Sequence, residues 1–282
     1  MSDDLLWPDD DDDDDEDAPA WLLDRTLPQV PAWPRVWNCW LGGKDHYPAD
    51  RQAAQACAAV YPGISTLARS CQYFTARAVR YLAFQAGIRQ FIEIGTGLPV
   101  HDPVHQLTAP GTRVIYTAGD PEVITLTRGT LADAPGVETC YIQGALDDPG
   151  DLLIQALDAL DPARPTAVLL MQELGHFGDP AQGGSGFARV IVRGLTRLLP
   201  AGSYLAISEI TTCDPALTAA LASYSQAADL PYHPRDPAQV TDLFDGLRLI
   251  DPGVVPIGQW RPDPSPFTPP PVPAWGGIGA TT

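Results

Sequence analysis

The chain has 282 residues, is 45% apolar and carries a formal net charge of −18. That suits one large domain with a substantial core, and no run of about 18 apolar residues is present to span a membrane. Eleven of the acids lie in residues 1–17, where there is no base, which leaves −7 for the remainder and no basic footprint for nucleic acid.

The N-terminus, MSDDLLWPDDDDDDDED, is acidic where a secretory signal would be basic and then apolar. The five cysteines are scattered, with no Cys-x-x-Cys, and read as reduced thiols. Both features predict a cytoplasmic protein. Residues 1–20 read as a disordered acidic tail, because like charges repel and nothing apolar there can be buried; an arm that docks on a basic partner is the alternative. Residues 21–48 are rich in Trp and Pro and read as an ordered arm, neither helix nor strand at length, anchored through Trp33, Trp37 and Trp40. Helical spacing of apolar residues follows at about 49–60 and 65–86, and Gly87 ends the second stretch.

From residue 87 the period changes. Strands are predicted at Gln90–Ile94, Arg113–Thr117, Glu138–Ile142, Ala167–Met171 and Ser203–Ile207, with helices near 121–132, 150–160 and 186–199 between them. Alternating strands and helices imply a mostly parallel sheet covered on both faces. Helices near 214–228 and 237–246 and strands near 247–250 and 254–260 complete the domain at about residue 261. Residues 262–282, RPDPSPFTPPPVPAWGGIGATT, hold so much Pro and Gly that an extended or disordered tail is expected.

The sharpest local signal is Phe91-Ile-Glu-Ile-Gly-Thr-Gly-Leu-Pro99, directly after the first strand. Gly95 and Gly97 permit a tight turn and a close backbone approach to a ligand. Glu93, Gly95 and Gly97 are therefore the candidate cofactor-binding core. A plain strand-to-helix turn would use the same glycines.

Taken with PRVWNCWLGGKDHYPADR (34–51), ARAVRYLAFQAGIRQFIEIGTGLP (76–99), LLPAGSYLAIS (198–208) and LFDGLRLIDPGVVPIGQWRPD (243–263), the chain resembles an actinobacterial S-adenosylmethionine-dependent methyltransferase family long described as a domain of unknown function. The resemblance implies a Rossmann-like class I methyltransferase fold, S-adenosylmethionine as cofactor and a small-molecule substrate, in specialised metabolism. It also exposes departures. Ala118 stands where the family has the ribose-binding acid, leaving Asp120, and Ala145 stands where an acid meets the adenine. Two lost hydrogen bonds to charged groups weaken binding by roughly 3–6 kcal/mol. The cofactor pocket thus reads as degenerate.

Other candidates cluster near the predicted strand ends. Glu173 and His176 follow the fourth strand and could move protons, the glutamate as base and the histidine as acid, since histidine titrates near neutrality and a buried glutamate can be tuned upward. Glu209 follows the fifth strand and is a further crevice acid. Trp37 and Trp40 could cap a flat substrate or simply anchor the arm. Lys44, the only lysine beside sixteen arginines, lies with Asp45 in Leu-Gly-Gly-Lys-Asp, and both are expected to line or brace the ligand site. His101 and His105 lie four apart on what reads as the first crossover helix, but no third ligand accompanies them and no metal is expected. Three functions remain open: methyl transfer to a small molecule; a cyclisation, elimination or isomerisation on the same fold without methyl transfer; or a non-catalytic binding module. Fold alone does not choose among them.

Overall fold

The computed structural model describes residues 28–100, 102–131, 134–144, 149–178, 186–264 and 270–282. The acidic tail, His101 and Ala145 lie outside them. Five parallel strands form the frame: β1 (Gln90–Ile94), β2 (Arg113–Ala118), β3 (Glu138–Gln143), β4 (Ala167–Met171) and β5 (Tyr204–Ile210). Their spatial order is β3-β2-β1-β4-β5, so the chain reverses direction of travel between β1 and β4. That reversal opens a crevice beyond the carboxyl ends of the two strands. The apolar runs at Phe91–Ile92, Val114–Tyr116 and Ala167–Leu170 are buried on both faces, as strands covered by helices require.

Helices α1 (Trp33–Trp40), α2 (Pro48–Val60) and α3 (Ile64–Arg80) precede the sheet; α4 (Pro121–Thr130), α5 (Pro149–Asp158), α6 (Gly186–Leu198), α7 (Pro215–Ala227) and α8 (Pro237–Asp242) follow within it. Each of α4, α7 and α8 begins on an aspartate, Asp120, Asp214 or Asp236, whose side chain accepts a free N–H of the first turn, with proline next in sequence. One large core cluster joins the N-terminal helices to one face of the sheet, and a second packs α5 and α6 on the other. The layers are those of the Rossmann-like methyltransferase fold.

Three expectations need correction. The arm is not irregular: α1 is helical, with Pro34 tolerated in its first turn, and Trp33, Val36 and Trp40 buried at helical spacing. No α-helix joins β1 to β2 among the described residues; the segment holds a single 3-10 turn, Val104–Leu107, after Pro99 and Pro103 have interrupted any longer helix. The C-terminus is not a tail. Residues Ala274–Ala280 form β8, which runs antiparallel to β5 on one side and to the short strand β6 (Arg248–Leu249) on the other, and β7 (Val255–Pro256) also pairs with it. Its glycines serve close packing rather than flexibility: a Cβ at Gly276 would stand 2.7 Å from the Ile207 carbonyl oxygen, and one at Gly279 2.8 Å from Leu247.

Gly276→Ala should therefore destabilise the protein by about 1–3 kcal/mol, the usual effect of overfilling a packed site. Thermal unfolding measures it, and an unchanged Tm would show that β8 does not sit tightly against β5.

Candidate functional site

The glycine turn closes the carboxyl end of β1. Gly95 has φ +71°, and the Thr96 N–H donates to the Thr117 carbonyl at 2.7 Å, which ties the turn to β2. A Cβ on Gly95 would lie 1.8 Å from the Glu173 carboxyl carbon, so only glycine lets that side chain lie across the turn. Gly97 has open space where a side chain would be.

A cavity of about 340 Å³ opens here. Its walls include Glu93, Gly95, Thr96, Gly97, Met171, Gln172 and Glu173 from the sheet, and Trp33, Trp37, Asn38, Leu41 and Gln72 from α1 and α3. Trp37 Nε1, Asn38 Nδ2 and Gln72 Oε1 are buried without hydrogen-bond partners. Unpaired buried polar groups are uncommon in folded proteins, and these three mark a wall suited to a polar ligand. A second cavity of about 510 Å³ adjoins the first through Trp33, Pro34, Gly95, Thr96 and Glu173, which line both; it extends along Pro28–Arg35, Ala118–Asp120, His176 and Asp229.

Three carboxyls converge on this region, Glu209 buried and Glu93 and Glu173 half-buried. Burial pushes Glu93 up to about 7, opposed only by a weak hydrogen bond from Thr96. Burial and the nearby carboxylates of Glu209 and Glu93 hold Glu173 well above the usual range. Burial also raises Glu209 to about 7, against the Arg235 charge. Glu209 is fully engaged: it accepts the Leu174 N–H at 3.0 Å and the Tyr232 hydroxyl at 2.9 Å. It lines neither cavity, so the expectation that it binds substrate is corrected; it fixes the loop that carries Glu173. Arg235 donates to the Leu174 and Phe177 carbonyls of the same loop, and Gln172, at φ +58°, hydrogen-bonds through its side chain to Ser208.

The protonation tendencies of Glu173 and His176 run opposite to those expected. The Pro231 carbonyl can only accept, so His176 Nδ1, 2.8 Å away, carries the ring proton. Burial lowers His176 to about 4. Near neutral pH the ring is thus uncharged and offers a lone pair at Nε2, while Glu173 retains its proton more readily than an ordinary glutamate.

The arm covers the crevice, but not with the residues expected. Trp40 is buried and donates to the Ala54 carbonyl at 3.2 Å, which makes it a core anchor. Trp37 does line the cavity. Lys44 and Asp45 are exposed and line neither cavity. The helix ends at Gly42, with φ +84°, and Asn38 then accepts the Asp45 N–H through its side chain, turning the pair toward solvent. His105 faces the Tyr116 hydroxyl at 2.8 Å.

Arg35 was not singled out by the sequence, yet it organises the site. It is buried, and it pairs with Asp50 at 3.0 Å, Asp120 at 3.0 Å and Glu122 at 3.1 Å. Asp50 also accepts the Ala32 and Tyr47 N–H groups. The signal available was an arginine flanked in sequence by Trp33 and Trp37, with an aspartate fifteen residues on in the first turn of the next helix. It identifies neither partner across the sheet.

The comparisons with known proteins settle the family. The S-adenosyl methyltransferase family model matches residues 20–282. The chain belongs to that family. A DUF574 family protein from Streptomyces avermitilis is 33% identical, with a TM-score of 0.81 over 90% of this chain and 98% of that one. A methyltransferase candidate from Thermobifida fusca is 29% identical, with a TM-score of 0.81 over 94% and 100%. No functionally curated protein matches the chain.

S-adenosylmethionine, which the family implies, can be tested against these residues. They fit its amino-acid end: a glycine turn open to close approach, carboxyls at Glu93 and Glu173 with no protein cation beside them, and unpaired polar atoms in the wall. The ribose end is poorer. Ala118 has no polar group to offer, and Asp120 already accepts the Glu122 N–H at 2.8 Å on one oxygen and Arg35 on the other. Asp120 lines the second cavity and also caps α4 and holds the arm, so a ribose hydroxyl would share its carboxylate with Arg35.

Two outcomes follow. Arg35→Met leaves Asp50 charged and buried without its partner, which should destabilise the protein by about 3–5 kcal/mol; a variant as stable as the parent in chemical unfolding would remove Arg35 from this role. Glu93 has a folded value of about 7 against 4.5, so the folded state holds a proton that the unfolded chain has released. Its contribution is present below about 4.5 and is lost as pH rises through about 7. Glu93→Gln should therefore match the parent in Tm at low pH and exceed it increasingly toward pH 8; a constant difference would contradict the raised carboxyl.

Proposed function

We propose that the protein is an S-adenosylmethionine-dependent methyltransferase of a small molecule that holds its cofactor weakly. The observation that carries this is the pair of adjoining cavities that meet at Gly95 and Glu173 under the arm, the first running along the glycine turn and the second reaching Ala118–Asp120 at the end of β2. Two compartments sharing a wall are what bringing a cofactor and an acceptor into line requires. Glu93, Gly95 and Gly97 would hold the amino-acid end of the cofactor, with Asn38 and Gln72 offering their unpaired atoms. When bound, the cofactor supplies an electrophilic methyl group. The chain's own contributions are orientation, through the arm and the clamped loop after β4; exclusion of water, through Trp33 and Trp37; and a proton acceptor, the neutral His176 or the ionised form of Glu173.

One observation favours a second reading, in which the fold has lost methyl transfer and the Glu173–His176 pair moves protons in a cyclisation, elimination or isomerisation. It is the engagement of Asp120 by Arg35 beside Ala118, which leaves the ribose without a free acid.

Titration calorimetry with S-adenosylhomocysteine decides between them. Saturable binding with Kd above about 100 μM is expected from the missing ribose and adenine contacts. Absence of binding at millimolar concentration would overturn methyl transfer and leave the second reading. Low-micromolar binding would show instead that the pocket compensates fully for Ala118.

A further inference from the structure

The body of the protein carries a surface that matches the acidic N-terminal segment in both charge and apolar content. Residues 51–92 hold five arginines and no acid, in a chain of net charge −18. On α3 that excess reaches the surface. Arg69, Tyr73 and Arg80 lie four and seven residues apart, which puts them on one face of the helix, and all three are exposed. Phe84 follows in the π-helical turn Tyr81–Gln85 that continues α3. Tyr73 and Phe84, at 64% and 62%, are the most exposed Phe, Tyr or Trp side chains among the described residues. Arg261, over the Tyr81 ring at 4.3 Å and hydrogen-bonded to Gln85, extends the strip.

Arg69 and Arg80 form no ion pair among the described residues. The acids nearby are Asp102, which lines the first cavity with Arg69 and Tyr73, and Asp263, whose charge acts on Arg77. The arginine row on α6 is different, because Arg189 pairs with Asp242 and Asp245, and Arg193 with Asp245.

The N-terminal segment complements the α3 face. Residues 9–17 are all acidic, and Leu5, Leu6 and Trp7 precede them with one proline between. Pro28, the first described residue, lines the second cavity, which shares Trp33 and Pro34 with the first; Arg69 and Tyr73 line the first. Face and attachment point are therefore neighbours across the arm, and the chain from Asp17 to Pro28 can extend about 36–40 Å. Arg69 and Arg80 are about 16 Å apart along the helix, with Phe84 about 6 Å beyond. Residues 9–17, extended, cover about 26–30 Å. They span both arginines and leave residues 5–7 to reach an aromatic ring. Surface ion pairs hold a free peptide poorly, but a tethered one acts at an effective concentration on the order of millimolar. An external polyanion meets the net charge of −18 instead.

We propose that the exposed face of α3 docks the chain's own acidic segment, with residues 9–17 against Arg69 and Arg80 and residues 5–7 against Tyr73 and Phe84. Because Arg69 and Tyr73 also line the first cavity, the docked segment lies at its mouth. The docking is independent of which reaction the site performs.

The test is arginine footprinting with phenylglyoxal, read by peptide mass spectrometry, on the full chain and on the full chain carrying Asp9→Asn through Asp15→Asn. It is run at about 10 mM salt, where charges act over about 30 Å, and at about 1 M, where they act over about 3 Å. At low salt Arg69 and Arg80 should react about threefold more slowly in the parent, the effect of a tethered segment docked for about two-thirds of the time. The difference should vanish at high salt, and Arg193 and Arg197 should react alike in both chains. Arg69→Gln with Arg80→Gln should release the segment, seen as about threefold faster Asp-N cleavage within residues 9–17 at low salt with unchanged Tm. Tyr73→Ser with Phe84→Ser should speed that cleavage as well. Equal rates at Arg69 and Arg80 in the two chains, equal slowing at Arg193 and Arg197, or unchanged cleavage in either double variant would overturn the proposal. So would slowing that grows with protein concentration, which would place the segment on a second copy. Protection of Arg69 and Arg80 by phosphatidylserine vesicles in place of the segment would overturn it too, by giving the face to a membrane.

Discussion

The buried guanidinium of Arg35 is the interaction on which the site depends. Taking a charge out of water costs several kcal/mol, and the loss is recovered only where geometry and additional hydrogen bonds are good. Here the guanidinium meets Asp50 from the same N-terminal region and Asp120 and Glu122 from the far end of β2 and the start of α4. Segments more than eighty residues apart are thereby fixed together. With the arm held at that end, Trp33 stacks on Tyr232 at 4.4 Å with the ring planes nearly parallel, and α1 becomes a roof over the carboxyl ends of β1 and β4. The same bond engages the one acid left near the ribose position. Holding the roof and binding the ribose thus draw on a single carboxylate.

A second constraint follows from the first. Roofing the crevice removes water from Glu93 and Glu173, and neither receives a cation from the protein in exchange. Desolvation and mutual repulsion then favour their protonated forms. The loop carrying Glu173 does not relax away, because Glu209, Tyr232, Arg235 and Ser208 hold its backbone and the side chain of Gln172 from below. The protein pre-organises an electrically uncompensated site, a common property of functional centres. Hydrophobic burial supplies the stability that tolerates it: β1, β4 and β5 are apolar through the middle of the molecule.

Much of this was legible locally. The boundaries of β1 and β4 follow from apolar runs bounded by turn residues, and the helix starts at Asp120, Asp214 and Asp236 follow from aspartate-proline pairs. Local reasoning failed where long-range contacts outweighed propensity. The stretch Ala274–Ala280 reads as a tail because Gly weakens strands, yet β5 at Gly276 and the Leu247 side chain at Gly279 approach so closely that a side chain at either would collide. Trp33–Trp40 reads as irregular because of its prolines, but burial of three large side chains against the core offsets them.

The sequence by itself determined the alternating α/β order, the glycine turn at the end of β1 and the placing of Glu173 and His176 just beyond β4, because each depends on residues a few positions apart. Tertiary structure decided which of those groups carry charge, which are already paired and which face a cavity. Burial exchanged the expected protonation tendencies of Glu173 and His176, hydrogen bonding turned Glu209 from a ligand group into a support, and the turn at Gly42 carried Lys44 away from the crevice. Protonation and pairing depend on what surrounds a group in three dimensions, and here those surroundings come from segments that only the folded chain brings together.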